Sequence, residues 1–174
     1  MAFEIRRVIT GHDEHGNAIV KHDENMASHE RLPGYHAMTV WCTSELPVNN
    51  DEPAYNDGES GPKGQRVLMR IGESYPEPAR EGIMHRTETL DYAVVLSGEC
   101  DMELDNGEMI RGLKAGDVVI QRGTNHKWVR RGSEPVRWLF VLIDADPVKV
   151  GDKVLGDDLS NIPGGVTPMP SGVS

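Results

Sequence analysis

The feature that most constrains this chain is a run of short β-rich segments between residues 83 and 145, each ended by a turn signal. DYAVVLSG, CDMELDNGEMI, DVVIQRG, HKWVRRG and VRWLFVLIDA are separated by Ser-Gly, Asn-Gly, Ala-Gly, Gly-Thr-Asn and Gly-Ser steps. Branched and aromatic side chains suit a pleated, half-buried surface, and glycine and asparagine tolerate the positive φ of tight hairpins. The Asp105-Asn106-Gly107 step is the strongest of these turns. Strands at this spacing fold as a sandwich or barrel. No internal repeat of about 20 to 50 residues is visible, so a solenoid or propeller is unsupported.

Outside this run the pattern is looser. EIRRVITGHDEHGNAIVK, residues 4 to 21, reads as a β-hairpin around a polar turn; His12 and His15 belong to that turn rather than to a metal site. From Asp23 to Gly34 the β pattern dissolves, and HAMTVWCT (36 to 43) and RVLMRIG (66 to 72) restore it. Residues 45 to 64, rich in Pro, Asn, Asp, Gly and Glu, read as a long surface loop, and 73 to 82 hold too much proline to extend a strand. Beyond Asp146 the expectation is a short helix near Asp152 to Leu159 and, over the last dozen residues, a loose or partner-draped end. The division is therefore an N-terminal arm (1–35), a barrel (36–146) and a C-terminal extension (147–174).

The 174 residues suit one domain with a real core. A formal charge of -10 argues against nucleic acid or an anionic membrane, both of which demand clustered cations. The one basic run, Lys127 to Arg131, reads as strand-edge charge or a pocket lip. Cys42 and Cys100 share no ligand spacing, and no apolar stretch is long enough for a transmembrane helix or signal peptide, so the expected setting is cytoplasmic.

Chemistry concentrates in HRTETLDYAVVLSG (85 to 98) and GDVVIQRGTNH (116 to 126). Strand alternation predicts His85, Thr87, Thr89 and Asp91 on one face, and a neighbouring strand carrying His126 completes a polar cluster inside an apolar sheet. Such a cluster implies metal, ligand or catalytic work. Trp128 shares the inward face of His126, and Trp138 and Phe140 alternate in phase as barrel core. Arg70 and Arg122 are candidates for meeting a substrate carboxylate. Tyr92 points away.

These two stretches resemble the cupin motifs G(x)5HxH(x)3-4E(x)6G and G(x)5PxG(x)2H(x)3N. His85, Asp91 in the glutamate position and Gly98 match the first, with Thr87 replacing the second histidine; Gly116, Gly123 and His126 match the second, with Gln121 at the proline and Arg130 at the asparagine. The resemblance implies an all-β fold, a double-stranded β-helix or jelly-roll barrel, with the N-terminal arm packing across a homodimer. It also implies one divalent transition metal (Fe, Mn, Ni or Zn) on His85, Asp91 and His126. Thr87 weakens that set, so a metal-free pocket stays open as the alternative. The same three residues are the catalytic candidates, and Thr87, Thr89, Trp128, Arg122 and Arg70 the substrate-binding ones. The expected function is a small-molecule enzyme, a metal-assisted lyase, decarboxylase, dehydratase or isomerase on an oxygenated metabolite, aromatic ones included. An Fe(II) dioxygenase and a non-catalytic ligand-binding module are the alternatives.

Overall fold

The computed structural model describes residues 2–43, 45–46, 48–50, 64–76 and 81–163, and these contain strands and turns without a helix. The N-terminal arm is a two-stranded antiparallel ribbon of β1 (Glu4–His12) and β2 (Ala18–Ala27). Its turn is closed by Asp13, whose carboxylate accepts from the backbone N–H groups of His15 and Asn17 at 2.9 and 2.8 Å. This satisfies turn donors locally, as expected of an Asx turn.

The large sheet has the strand order β3 (His29–Leu32), β4 (Tyr35–Thr43), β5 (Val67–Ser74), β11 (Val136–Asp144), β6 (Thr89–Ser97) and β9 (Val118–Arg122). A smaller sheet joins β10 (His126–Arg131), β7 (Glu99–Leu104) and β8 (Met109–Lys114). Val95, Cys100, Val136 and Trp138 are buried together with Leu113, Trp128 and Phe140 packed against them, which locates the core between the sheets. Burying each side chain of this size stabilises by roughly 1.5–3 kcal/mol before entropy is counted. On the other face of the large sheet, Met38 and Val40 receive Phe3 from the arm, with Ile5, Met26, Met69 and Ile71 around them. The Arg137 guanidinium lies 4.5 Å from the Phe3 ring centre while pairing with Glu73.

Two expectations are corrected. The β pattern does not dissolve after Asp23: β2 continues to Ala27 because its polar residues pair across the ribbon, Arg6 with Asp23 at 2.6 Å and Arg7 with Glu24 at 3.0 Å. Strand β3 then joins the large sheet, although it lies before residue 36. The expected helix near 152–159 is instead the hairpin β12 (Val148–Val150) and β13 (Lys153–Leu155), turned at Gly151 with φ of 59°. The described residues of the C-terminal extension are tied to the barrel, since Asp158 and Arg86 exchange backbone hydrogen bonds of 3.0 and 2.8 Å. Residues 51–63 of the expected loop, and all but the first of the last dozen residues, lie outside the described residues.

Gly72 on β5 fixes one wall of the interior. A Cβ there would stand 2.2 Å from the Tyr35 hydroxyl, which fills the space the missing side chain leaves. Gly72→Ala is expected to displace Tyr35 and destabilise the fold by about 1–3 kcal/mol, the usual cost of overpacking. Denaturant unfolding of the two proteins measures this, and an unchanged midpoint contradicts it.

Candidate active site

Between the sheets lies a cavity of about 290 Å³. Strands alternate their side chains, so β10 presents His126, Trp128 and Arg130 to it and β11 presents Trp138, Phe140 and Leu142. Tyr35 and Arg70 line it from β4 and β5. His85 is brought in by a backbone bridge: its N–H donates to His126 O and His126 N–H donates to His85 O, both at 3.0 Å. Gly82 allows the approach, because a Cβ there would meet the Trp128 carbonyl oxygen at 1.9 Å.

The two imidazoles face each other with ring centres 4.6 Å apart. His85 Nδ1 lies 2.9 Å from Ile83 O, and His126 Nδ1 lies 2.9 Å from Thr124 O. A carbonyl only accepts, so in the neutral ring each Nδ1 carries the proton and each Nε2 keeps its lone pair. Burial pushes His126 down to about 4, with the charge of His85 adding to this and the bond to Thr124 opposing it. His126, 4% exposed, is therefore a neutral acceptor at ordinary pH.

Asp91, 5% exposed, sits on the same cavity with Oδ1 lacking a hydrogen-bond partner. Burial raises its carboxyl toward the acid form, while a hydrogen bond from Thr89 and the charges of His85 and Arg70 pull the other way. The contrast is Asp101, also buried, which Arg131 and the Gly112 N–H hold well below the usual carboxylate range. Asp101 is satisfied structure; Asp91 is held ready to bond something else. Across from Asp91 in the β6–β9 register lies Gln121, 2% exposed, with both amide atoms unpartnered and lining the cavity. The indole N–H of Trp128 is likewise unpartnered.

Sequence reasoning placed His85, Thr87, Asp91, His126, Trp128 and Arg70 on this cavity, and all six line it. Two candidates are corrected. Arg122 follows Gln121 on β9, so alternation turns it away, and it lines a separate cavity of about 210 Å³. Thr89 lines that second cavity and not the first; it shares the face of Asp91 on β6 and bonds its carboxylate, so it backs the polar wall of the first cavity without reaching its surface. Its hydroxyl bonds Thr87 at 2.7 Å. Tyr92 faces outward as expected and is 41% exposed. Gln121, Tyr35, Leu159 and Ile162 were missed; for Gln121 the signal was its inward phase between Ile120 and Arg122.

The expected metal set does not assemble. His85 and His126 offer Nε2 donors backed by carbonyls, which suits metal ligation. Among the described residues, however, no three His, Cys, Asp or Glu side chains converge as a metal-binding group. Thr87 stands where a third imidazole would complete the set, its hydroxyl occupied by Thr89. Thr87→His is expected to tighten Zn(II) by more than about tenfold, the equivalent of ~1.4 kcal/mol. Calorimetric titration measures this, and equal affinity of the two proteins contradicts it.

An all-β, two-sheet barrel whose internal cavity holds two histidines joined by a backbone bridge is the double-stranded β-helix arrangement. The Cupin_2 family model, described as a cupin domain, matches residues 64–142. Phomopsin biosynthesis cluster protein C' of Diaporthe leptostromiformis is 37% identical over 86% of this chain and 84% of its own. The cupin-domain-containing oxidoreductase fogC of Aspergillus ruber is 35% identical over 84% of this chain and 76% of its own. A double-stranded β-helix protein from Klebsiella pneumoniae is similar at 27% identity, with a TM-score of 0.41, over 45% of this chain and 68% of that one. The chain belongs to the cupin superfamily. No helix among the described residues is long and apolar enough to cross a membrane.

Proposed function

We propose that this cupin is an enzyme of small-molecule biosynthesis that moves a proton on a planar, oxygenated carbonyl compound. The observation that carries the proposal is the cavity shared by two imidazoles with free Nε2 atoms and a buried carboxyl biased toward its acid form. In this reading His85, half-buried and less enclosed than His126, takes a proton from the carbon next to the carbonyl. Asp91 gives a proton to the carbonyl oxygen. The transfers support each other: the positive charge arriving on His85 favours the carboxylate left on Asp91 and keeps His126 neutral. His126 then accepts a hydrogen bond from a substrate hydroxyl, and the amide of Gln121 completes the polar edge. Trp128, Trp138 and Phe140, packed on one another, give a planar substrate an aromatic wall. Isomerisation and dehydration both begin with this proton transfer. The metal-assisted lyase and Fe(II) dioxygenase versions need a third donor beyond the two imidazoles.

The names of the relatives support a place in small-molecule biosynthesis. Because fogC is called an oxidoreductase, oxidation of the same substrate is a second reading, and it requires a co-reactant bound beside the histidine pair. Incubating the protein with 1-tetralone in D2O tests the proposal. Proton NMR is expected to show deuterium entering the position beside the carbonyl faster than in buffer. Binding without exchange contradicts proton transfer and leaves a binding module; a dehydrogenated or oxygenated product supports the second reading.

A further inference from the structure

Part of the cavity wall comes from outside the family-matched region. Leu159 and Ile162 line it, although both lie well beyond residue 142. The segment carrying them is bound to the chain that carries His85. Arg86 and Asp158 exchange two backbone hydrogen bonds, and the Arg86 side chain donates from Nε to Gly156 O at 2.7 Å. Asn161 Nδ2 donates to Met84 O at 3.1 Å, and Glu88 N–H donates to the Asp157 carboxylate at 2.6 Å. Since His85 is itself bridged to His126, the order across this wall runs from 158 to 86, then from 85 to 126. Leu159 is 39% exposed, so ordering it here leaves apolar surface uncovered. A ligand in the cavity has apolar surface to cover on this segment, beyond what the aromatic rings of β10 and β11 offer.

We propose that residues 156–162 form a specificity wall in which Leu159 and Ile162 make the site prefer fused two-ring substrates over single-ring ones. The proposal rests on the reading of this cavity as the substrate site, but not on the proton chemistry there. A second ring adds apolar surface, and apolar contact is what these two side chains supply. Arg86 and Asn161 act as positioning residues, holding the wall against the His85 segment.

Calorimetric titration of the full chain with 1-tetralone and acetophenone tests this, since both carry an aryl ketone and differ in the second ring. The native protein is expected to prefer 1-tetralone. Leu159→Ser combined with Ile162→Ser is expected to weaken 1-tetralone about tenfold and acetophenone by less than about twofold, so that discrimination collapses. Leu159→Met, which keeps apolar surface, is expected to preserve it, and Asn161→Ala to reduce it partly. Equal weakening of both ketones, retained discrimination in the double variant, or binding of neither ketone by native protein overturns the proposal. A native protein that discriminates without exchanging deuterium leaves the wall standing and defeats the proton-transfer reading instead.

Discussion

Acidification from neutrality to pH 4 is expected to cost the folded chain about 3 kcal/mol through His126 alone, an order-of-magnitude figure from roughly 1.4 kcal/mol for each pH unit between its folded and unfolded titration points. Burial in the cavity pushes this imidazole down to about 4, with the charge of His85 as a second cause. An unfolded histidine titrates near 6.5. Between those two values the unfolded chain binds a proton that the folded chain refuses. Stability from this site is therefore complete above the unfolded value and is lost as pH falls toward 4. Asp91 acts with the opposite sign: its raised carboxyl takes a proton more readily folded than unfolded, which offsets part of the loss. Urea unfolding across this range, compared with His126→Leu, isolates the histidine. Carboxylates held low by their partners, Asp101 and Asp144 among them, destabilise both proteins as the pH nears 4, so the native protein should lose more than the variant by about the histidine's share, and parallel curves contradict the assignment.

His85→Gln is expected to lower deuterium exchange into 1-tetralone by about 10²–10⁴-fold, the usual worth of a positioned general base. Gln has neither a titrating nitrogen nor the lone pair that the Ile83 carbonyl leaves on Nε2. Asp91→Asn removes the other end of the transfer and should also abolish most exchange, while keeping size and burial. Combining the two should cost little more than the larger single loss, because the charge formed on one stabilises the charge formed on the other. Full additivity would mean that the residues act separately. Retained exchange in either single variant would remove that residue from the chemistry.

The parts of this site legible in the sequence are those governed by strand period. His126 and Trp128 share a face because they are two apart on one strand, and Trp138 and Phe140 obey the same rule on β11. The rule also puts Thr89 beside Asp91 on β6, where it bonds the carboxylate without lining the cavity, and on β9 it favours Gln121 over the neighbouring Arg122, whose charge had made it the candidate. Leu159 and Ile162 had no local signal at all, since they reach the cavity through the pairing of Asp158 with Arg86, more than 70 residues earlier in the chain. The mistaken helix reflects the same limit: only the pairing of Val148 with Leu155 reveals that Gly151 turns a hairpin. Polar composition also hid the far half of the second arm strand, residues 22 to 27, whose charges are matched across the ribbon rather than exposed singly.

The arrangement that leaves the proton transfer to His85 and Asp91 requires a neutral His126 with its proton on Nδ1 and a lone pair on Nε2. Nitrogen-15 NMR of the labelled imidazoles, followed from pH 7 downward, tests it directly. The expected spectra show a proton on Nδ1, an unprotonated Nε2, and no titration until the pH approaches about 4. A proton on Nε2, or an ordinary transition near 6.5, would contradict it.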